Sequence, residues 1–477
     1  MLKSVSVLAV LASMGFFASC LYNASSSQSA VSNNKNDGKS ATNYASYCAG
    51  CHGEKMDAFV DRKWKHGNTE ADLFKAIKVG YHDEGMPGFD STFTDDEIKD
   101  LVDYIVTGIQ NVKQYSFTDS VKSNIFETGS LTIQLDTIIK GIEVPWGMAF
   151  LPGGEMLVTE RGGKMYRVAK NKSVQEITGV PEVIAQGQGG LMDVELHPDF
   201  NNNQVIYISY SIGKNTDSGL LSSTAIAKAV LSGNALSAVT NIFEALPYSK
   251  TRHHYGSRLE FGKDGYLYFT VGDRGNHHQN PQSLNTHAGK THRIKDDGGI
   301  PNDNPFVNIS GAMPSIYSYG HRNQQGLVIH PKTGVIWSHE HGPRGGDEIN
   351  IVEKGKNYGW PATSYGINYN GTVLTEKTKM EGMEEPLLYW LPSIGPSGLA
   401  FVKGSRYKGW EDALLVGSLR FKYLNLCTIK GNKVVNQEML FKNIGRVRDV
   451  EMGPDGFIYV SVEKPGAVFR LVPIENK

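Results

Sequence analysis

Two cysteines and a histidine near the N-terminus have the spacing that attaches a haem covalently. Cys48, Cys51 and His52 lie in the pentapeptide Cys-Ala-Gly-Cys-His. Two thiols three positions apart on one helical turn can form thioethers to the haem vinyl groups, and the adjacent imidazole can bind the iron. A thioredoxin-like pair would need a βαβ context, and zinc would need two further ligands, whereas the next cysteine is the distant Cys427. The motif therefore predicts a c-type haem.

The segment after this motif predicts two helices separated by a loop that carries a methionine. Apolar residues recur at helical spacing over residues 69–79 and again over residues 94–109. Asp95 and Asp96 fall in the first turn of the second helix, where acidic residues are favourable. The loop at residues 84–89 holds Met86 between turn-forming residues.

Residues 40–112 resemble a small class I cytochrome c, with the haem motif, helix, methionine loop and helix in that order. The resemblance implies an all-α domain in which His52 and Met86 are the axial iron ligands, while Met56 and His82 compete for the place of Met86. His/Met ligation leaves no open position on the iron and raises its potential. We therefore expect this haem to carry electrons rather than to bind oxygen.

The first twenty residues have the pattern of an export signal. Lys3 gives a positive start, residues 5–17 form an apolar run too short to span a bilayer comfortably, and small residues precede Cys20. This resembles the lipobox of bacterial lipoproteins, in which the cysteine is lipidated. A plain cleaved signal with a chance cysteine is the alternative. We expect a lipid-anchored protein on the periplasmic side of a bacterial membrane.

Composition divides the rest of the chain. After the signal at residues 1–20, residues 21–39 predict a flexible tether, and the polar residues 113–130 predict a linker between the domain at 40–112 and a larger one at 131–477. Lys and Arg number 48 against 49 Asp and Glu, which argues against nucleic acid as a partner. The 53 glycines recur between short apolar runs, which favours a β-rich body.

One pattern occurs six times in the larger domain: a short apolar strand, a Pro/Asp/Gly turn and a second apolar strand. The first strands begin near residues 147, 191, 259, 327, 398 and 450. Six such repeats predict an all-β six-bladed propeller, which closes into a ring and leaves few exposed edges. The residues just before these strands should meet at one end of the central channel: Trp146, Gln188, His254, Arg322, Asn323, Ser393, Arg446 and Arg448. Such a polar and basic end predicts a site for a polyanionic ligand.

Phrases along residues 135–473 resemble the soluble quinoprotein glucose dehydrogenases and the aldose sugar dehydrogenases of the glucose/sorbosone dehydrogenase family. Several of them in order make the resemblance specific. They are Pro145-Trp146-Gly147, Gly187-Gln188-Gly189-Gly190-Leu191, His254-Tyr255-Gly256-Ser257-Arg258-Leu259, Gly272-Asp273-Arg274-Gly275, Gly320-His321-Arg322-Asn323-Gln324-Gln325-Gly326, Glu340-His341-Gly342-Pro343-Arg344-Gly345-Gly346-Asp347, Pro392-Ser393-Ile394-Gly395-Pro396-Ser397-Gly398 and Arg446-Val447-Arg448-Asp449.

The resemblance implies a cofactor, pyrroloquinoline quinone (PQQ), which is flat and carries three carboxylates. Its guanidinium clamps would be Arg322, Arg446 and Arg448, and Arg420 falls where the family has a lysine or arginine. Polar contacts would come from Gln188, Asn323 and Ser393. For any single arginine, a surface ion pair is the common alternative.

The resemblance also implies the catalytic base and a calcium ion. His254 matches the base that takes the proton of the C1 hydroxyl while C1 gives a hydride to the quinone. Calcium would polarise the quinone carbonyl, held by the backbone carbonyls of Gly342 and Pro343 with Asp347 nearby. His253 is a departure from the family pattern, which leaves open what orients the base and makes His253 a competitor for its role.

The sequence therefore predicts an enzyme that oxidises aldose sugars to lactones and passes electrons to its own haem. The next acceptor would be an exported cytochrome or an oxidase. A propeller lactonase, or a binding module without catalysis, is the alternative. Trp146, Tyr255, Tyr389 and Trp390 are interpreted either as a platform for the sugar ring or as ordinary packing. Cys427, in an apolar strand, is expected to be buried and inert.

Overall fold

The computed structural model describes residues 37–52, 64–110, 123–275, 277–369, 373–391 and 393–474. The predictions for the signal with Cys20, for residues 21–36 of the tether, for Met56 and for residues 113–122 of the linker lie outside these residues. Within them the chain forms an N-terminal helical unit and a six-bladed propeller, as predicted.

The described part of the helical unit starts at Asp37. A continuous helical stretch runs through α1 (Asp37–Asn43), a wider turn at Tyr44–Cys48 and α2 (Ala49–His52). It is followed by α3 (Glu70–Val79), a short turn at His82–Glu84 and α4 (Asp95–Gln110). No helix among the described residues is long and apolar enough to cross a membrane.

Both predicted helices start at threonine caps. The Thr69 hydroxyl accepts a hydrogen bond from the Asp72 amide, and the Asp72 carboxylate accepts one from the Thr69 amide, which closes a capping box. Thr94 and Glu97 make the same reciprocal pair at the start of α4. Each cap satisfies helix N–H groups that have no partner within the helix, a contribution of about 1 kcal/mol.

The helices pack around one apolar cluster. Its buried members include Tyr44 on the first helical stretch, Ile77 on α3, and Ile98 and Leu101 on α4. The rings of Tyr44 and Tyr104 lie 5.7 Å apart, which holds the first stretch against α4. The cluster also includes Cys48, with Met86 packed against it.

The remaining strands form six antiparallel sheets, each made mainly of strands that follow one another in the chain. The first two sheets are β3 (Pro145–Phe150), β4 (Met156–Glu160), β5 (Met165–Val168), β6 (Val174–Glu176), then β7 (Leu191–Leu196), β8 (Val205–Thr216), β9 (Gly219–Ser232), β10 (Ala235–Glu244), with the short helix α5 (Phe200–Asn203) before β8. The next two are β11 (Leu259–Phe261), β12 (Leu267–Val271), β13 (Lys290–Ile294), β14 (Ile316–Tyr319), then β15 (Gln324–Ile329), β16 (Ile336–Glu340), β17 (Asp347–Val352), β18 (Leu388–Trp390). The fifth is β19 (Pro396–Phe401), β20 (Leu414–Ser418), β21 (Tyr423–Lys430), β22 (Lys433–Leu440).

The sixth sheet closes the ring by joining the two ends of the propeller chain. It contains β1 (Ile125–Glu127), β2 (Thr132–Lys140), β23 (Arg446–Met452), β24 (Ile458–Glu463) and β25 (Ala467–Ile474). Strand β2 pairs along its length with β25, so an N-terminal strand completes the C-terminal blade. Strand β1 pairs with β2 on the outside, although its residues fall within the predicted linker.

The first strand of each predicted repeat is the innermost strand of a blade. Strands β3, β7, β11, β15, β19 and β23 each contact the next around the channel. The sheets pack face to face through β-branched and leucine side chains; Leu415, Leu424, Val447 and Val460 are fully buried. Burial of each such side chain stabilises the fold by about 1.5–3 kcal/mol. The predicted repeat is thus confirmed, and it places the starts of the six inner strands at one mouth of the channel.

Candidate active site

Hydrogen bonds between blades bring the predicted site residues together at this mouth. The Gln188 side-chain oxygen accepts a hydrogen bond from the His254 amide at 2.8 Å, which links two neighbouring blades. The side-chain oxygen of Asn323 accepts the Gly256 amide at 3.1 Å, linking the next pair. These two amide side chains therefore fix the loop that carries His254.

His254 is paired with a carboxylate that sequence reasoning had not assigned. Its Nδ1 lies 2.6 Å from Asp273 Oδ1. The same carboxylate accepts the Gly275 amide at 2.7 Å and Trp360 Nε1–H at 2.8 Å. Since all its partners are N–H groups, Asp273 accepts from His254 as well, which puts the hydrogen on Nδ1 and leaves a lone pair on Nε2. The question of what orients the base is answered by Asp273.

The backbone of His254 is held in a conformation that a histidine rarely adopts. Its φ is +55°, in the left-handed region. Such a residue costs about 1–3 kcal/mol and persists only where its surroundings enforce it. Here Arg274, which is buried, donates to the carbonyls of His254 (3.3 Å) and Thr251 (2.9 Å). The Arg274 guanidinium stacks on the Tyr255 ring at 3.7 Å, so Arg274 is itself held in place and supports the loop.

The electrostatics of the site keep the base neutral. Burial lowers the pKa of His254 well below its usual value, and the Arg322 guanidinium lowers it further. Burial raises the pKa of Asp273, which Arg322 and the Gly275 amide oppose. A neutral imidazole with a free Nε2 lone pair and a hydrogen-bonded carboxylate behind it is the arrangement of a general base.

Arg322 lies beside this pair and holds the turn predicted to bind calcium. Its Nη1 donates to the carbonyl oxygens of His341 at 3.1 Å and Gly342 at 2.7 Å. Its guanidinium lies 5.2 Å from the Trp360 ring centre. Only 6% of its surface is exposed, so this is not a surface ion pair.

Arg446 and Arg448 share one carboxylate. Arg446 Nε donates to Glu463 at 3.0 Å, and Arg448 donates to its other oxygen through Nε at 2.8 Å and through Nη2. Burial alone would raise the pKa of Glu463, but the two guanidinium groups outweigh it and hold that pKa well below its usual range. Burial lowers the pKa of Arg448, and the positive charge of Arg161 lowers it further. Sequence reasoning missed Arg161. Two positive groups facing one negative group leave the mouth basic.

Ser393 contacts the Gly342–Pro343 turn, and Arg420 contacts Ser393. Arg420 Nη1 donates to the Ser393 carbonyl at 3.3 Å, and the Ser393 hydroxyl donates to the Pro343 carbonyl at 3.2 Å. All seven residues predicted to bind PQQ therefore lie on loops or strand ends that converge on the mouth. Guanidinium groups with polar neighbours are a donor set that suits a flat tricarboxylate.

In the turn at Gly342 and Pro343, the first carbonyl accepts from Arg322 and the second from the Ser393 hydroxyl, and the turn has no room for a side chain. A Cβ at Gly342 would overlap the Gly346 carbonyl. Asp347 accepts the Gly342 amide at 2.9 Å and the Gly395 amide at 2.8 Å, so its carboxylate holds the turn in place. Burial raises the pKa of Asp347 to about 6. Carbonyl oxygens are hard ligands that suit Ca²⁺, and Asp347 supports them from behind.

Three of the four aromatic residues considered for the sugar platform are packed inside the propeller. Trp146 and Tyr255 belong to a buried cluster below the mouth. Trp390 is buried and donates through Nε1 to Gln437 at 2.8 Å. Tyr389 is 43% exposed and stacks on Tyr365 at 3.8 Å. Packing explains the first three.

The haem motif lies in the helical unit with its two thiols in different surroundings. Cys48 is buried, and its burial raises the thiol pKa to about 12. The Met86 loop is closed by paired backbone hydrogen bonds between Tyr81 and Met86 at 2.8 and 3.1 Å. Cys48 belongs to the apolar cluster of the unit, and Met86 packs against the same cluster. His82, the competitor, lies in the short turn before Met86 and is exposed.

Cys51 is exposed. Nearby protein raises the pKa of its thiol, and the guanidinium groups of Arg322, Arg446 and Arg420 lower it in turn. Cys51 therefore lies within electrostatic reach of the arginines of the mouth. Cys427 is buried in β21 and its burial raises the thiol pKa to about 12, as expected of an inert residue.

The fold and the site define a six-bladed propeller with a histidine–aspartate pair at a basic mouth, joined to a small helical domain with a haem motif. The family model for glucose / sorbosone dehydrogenase matches residues 142–470, and that for cytochrome C oxidase, cbb3-type, subunit III, matches residues 36–105. The chain belongs to the glucose/sorbosone dehydrogenase family and carries a cytochrome c domain in front of it.

Relatives and solved structures agree with this assignment over the propeller. An aldose sugar dehydrogenase of Escherichia coli, YliI, is 40% identical over 72% of this chain and 93% of its own length. Quinoprotein glucose dehydrogenase B of Acinetobacter calcoaceticus is 30% identical over 76% and 93%. The PQQ-bound aldose sugar dehydrogenase of Streptomyces coelicolor is 27% identical, covers 71% of this chain and 97% of its own, and has a TM-score of 0.59.

Proposed function

We propose that the protein oxidises aldose sugars to lactones with PQQ bound at the propeller mouth, and that the electrons pass to a haem c in its own N-terminal domain. The single observation that carries this proposal is the His254–Asp273 pair set among buried guanidinium groups. A PQQ-bound relative and the haem motif support the two cofactors. When bound, PQQ would accept two electrons and two protons from the sugar, and the haem iron would carry the electrons one at a time.

The residues of this chain do three things in that reaction. His254 takes the proton of the C1 hydroxyl at Nε2 as the C1–H bond breaks, and Asp273 stabilises the charged imidazole that results. Arg322, Arg420, Arg446 and Arg448 would bind the carboxylates of the cofactor in the mouth. The carbonyls of Gly342 and Pro343 would hold a Ca²⁺ ion, which acts as a Lewis acid on the quinone.

The remaining parts of the proposal concern the surroundings of the enzyme. Lipidation at Cys20 would anchor the protein on the periplasmic side of the membrane. An exported cytochrome or an oxidase would then take the electrons from the haem. Tethering the cytochrome domain to the propeller raises its effective concentration at the mouth, so no diffusing protein is needed for the first transfer.

The cofactor site is tested by Arg420→Gln. Arg420 makes one backbone hydrogen bond at 3.3 Å and stacks at 4.9 Å on Phe421, so its removal leaves little unsatisfied. Loss of one charge-assisted contact, about 1.5–3 kcal/mol, should raise the Kd for PQQ about 10- to 150-fold. Fluorescence titration of the apoprotein with PQQ measures it. Arg406→Gln is the matched control, because Arg406 stacks on Phe457 at 3.9 Å in a loop after β19, at the far end of the propeller. Equal affinities of the two variants for PQQ would show that the cofactor does not bind at this mouth.

The haem ligand is tested by Met86→Ala. The covalent haem should remain on Cys48 and Cys51, but the iron should gain an open position, bind carbon monoxide when reduced and have a lower potential. Absorption spectroscopy with and without carbon monoxide checks this. His82→Ala is the control and should leave the spectrum unchanged. Carbon monoxide binding to the His82→Ala haem and not to the Met86→Ala haem would make His82 the ligand.

A further inference from the structure

The loop that carries the catalytic histidine also touches the loop that carries Met86. The Arg252 amide donates to the Asp83 carbonyl at 3.1 Å, a backbone hydrogen bond from the propeller to the helical unit. One residue further on, the His253 ring covers Gly85: a Cβ there would lie 3.1 Å from His253 Nδ1. Residues 252–254 therefore contact the cytochrome domain on one side and Asp273 on the other.

His253 is built into this contact. It is 7% exposed, and its Nδ1 has no hydrogen-bond partner among the described residues. Its ring also fills the space beside Gly275, where a Cβ would overlap Nε2. A buried ring nitrogen without a hydrogen-bond partner costs free energy, because it has lost its hydrogen bonds to water, so the packing around it must hold it in place. Gly85 is the neighbour on that side, and its φ of +85° brings its backbone close in a conformation that favours glycine.

A second contact comes from the neighbouring blade. The Arg344 guanidinium sits 4.5 Å from the Tyr47 ring centre, next to the haem motif. Arg344 follows the Gly342–Pro343 turn, whereas His253 precedes the base, so the two contacts come from different blades. Cys51 of the haem motif lies within electrostatic reach of the arginines of the mouth. The cytochrome domain thus rests on two neighbouring blades at the mouth.

We propose that Arg252, His253 and Arg344 form a docking surface that seats the chain's own cytochrome domain over the propeller mouth, with its haem-attachment side facing inward. The role of His253 is then to position the Met86 loop, and it is not the base. Only the purpose of this docking, a short path for electrons, rests on the proposed function. The docking itself is a property of the haem-loaded chain and needs neither quinone nor sugar to be observed.

The test weakens the two contacts separately in the full haem-loaded chain. Arg344→Gln removes the cation–π contact with Tyr47, and Gly85→Asn adds a side chain against His253. Arg406→Gln, which removes a similar arginine–aromatic contact at the far end of the propeller, is the control. The first readout is hydrogen exchange of the Arg252 amide. The second is the rate of haem reduction by sugar divided by the rate of dye reduction.

Loss of one exposed cation–π contact should speed exchange at Arg252 about two- to fivefold in Arg344→Gln. Gly85→Asn should speed it more and should slow haem reduction relative to dye reduction, while Arg406→Gln matches the wild type. Exchange at Arg252 that is the same in all four proteins would overturn the docking surface. If exchange responds as expected but sugar never reduces the wild-type haem, the docking stands and the proposed electron transfer fails.

Discussion

Replacing His254 by alanine should lower kcat for aldose oxidation about 10²- to 10⁴-fold, the usual contribution of a general base. His254 is the buried imidazole whose Nδ1 is engaged by Asp273 at 2.6 Å, which leaves Nε2 to take the proton. PQQ affinity should change little, because the guanidinium groups that would bind it remain. Steady-state reduction of a dye acceptor by an aldose, with saturating PQQ and Ca²⁺, measures the loss.

Two variants show whether the effect belongs to this histidine. His330→Ala removes a ring that packs on Phe401 at 4.6 Å, just after β15 and away from the mouth, and should keep full dye activity. His253→Ala separates the two neighbouring histidines, because His253 lies beside the base with ring centres 4.7 Å apart. A large loss of kcat in His253→Ala with little loss in His254→Ala would assign the base to His253.

Asp273→Asn should lower kcat by a similar factor, about 10²- to 10⁴-fold, for a different reason. The carboxylate accepts three N–H groups, from His254, Gly275 and Trp360. An asparagine has one acceptor oxygen and one amide nitrogen, so at least one of these donors must face another donor. If the amide faces Nδ1, it forces the other tautomer of His254, whose Nε2 then carries hydrogen and cannot accept the proton.

The matched control is Asp264→Asn, which alters a carboxylate that accepts from Arg293 and Tyr268 outside the mouth. Its loss should lower the melting temperature without a comparable fall in kcat. Thermal unfolding measured beside dye-coupled kinetics separates the two effects. An Asp273→Asn enzyme that is fully active once folded would show that the base needs no orienting carboxylate.

The propeller was predictable because each blade repeats the same local pattern. Alternating apolar residues and turn-forming glycines are local signals, visible in short stretches of sequence. Their six copies give the number of blades. The helices at residues 70–79 and 95–110 followed from period and capping in the same way. For the same reason the converging loops could be named in advance, since each precedes an inner strand.

The pairing of side chains within the mouth was not predictable. Asp273 meets His254 and Glu463 meets Arg448 within single blades, on neighbouring antiparallel strands or just beyond their ends, and which side chains meet depends on a strand register that the apolar pattern alone does not fix. The phrase Gly272-Asp273-Arg274-Gly275 stood out in the sequence, but nothing in it shows which residue its carboxylate meets. The position of His253 against Gly85 depends on how two domains pack, which no local pattern encodes.

The central claim is that one chain oxidises sugar at the propeller mouth and delivers the electrons to its own haem. The most direct measurement follows the haem absorption of the purified, haem-loaded protein under anaerobic conditions while an aldose is added, with and without PQQ and Ca²⁺. The account predicts haem reduction that requires both quinone and sugar, has a rate independent of protein concentration, and is lost in His254→Ala. Haem that stays oxidised while a dye is reduced, or that is reduced at a rate proportional to protein concentration, would contradict transfer within the chain.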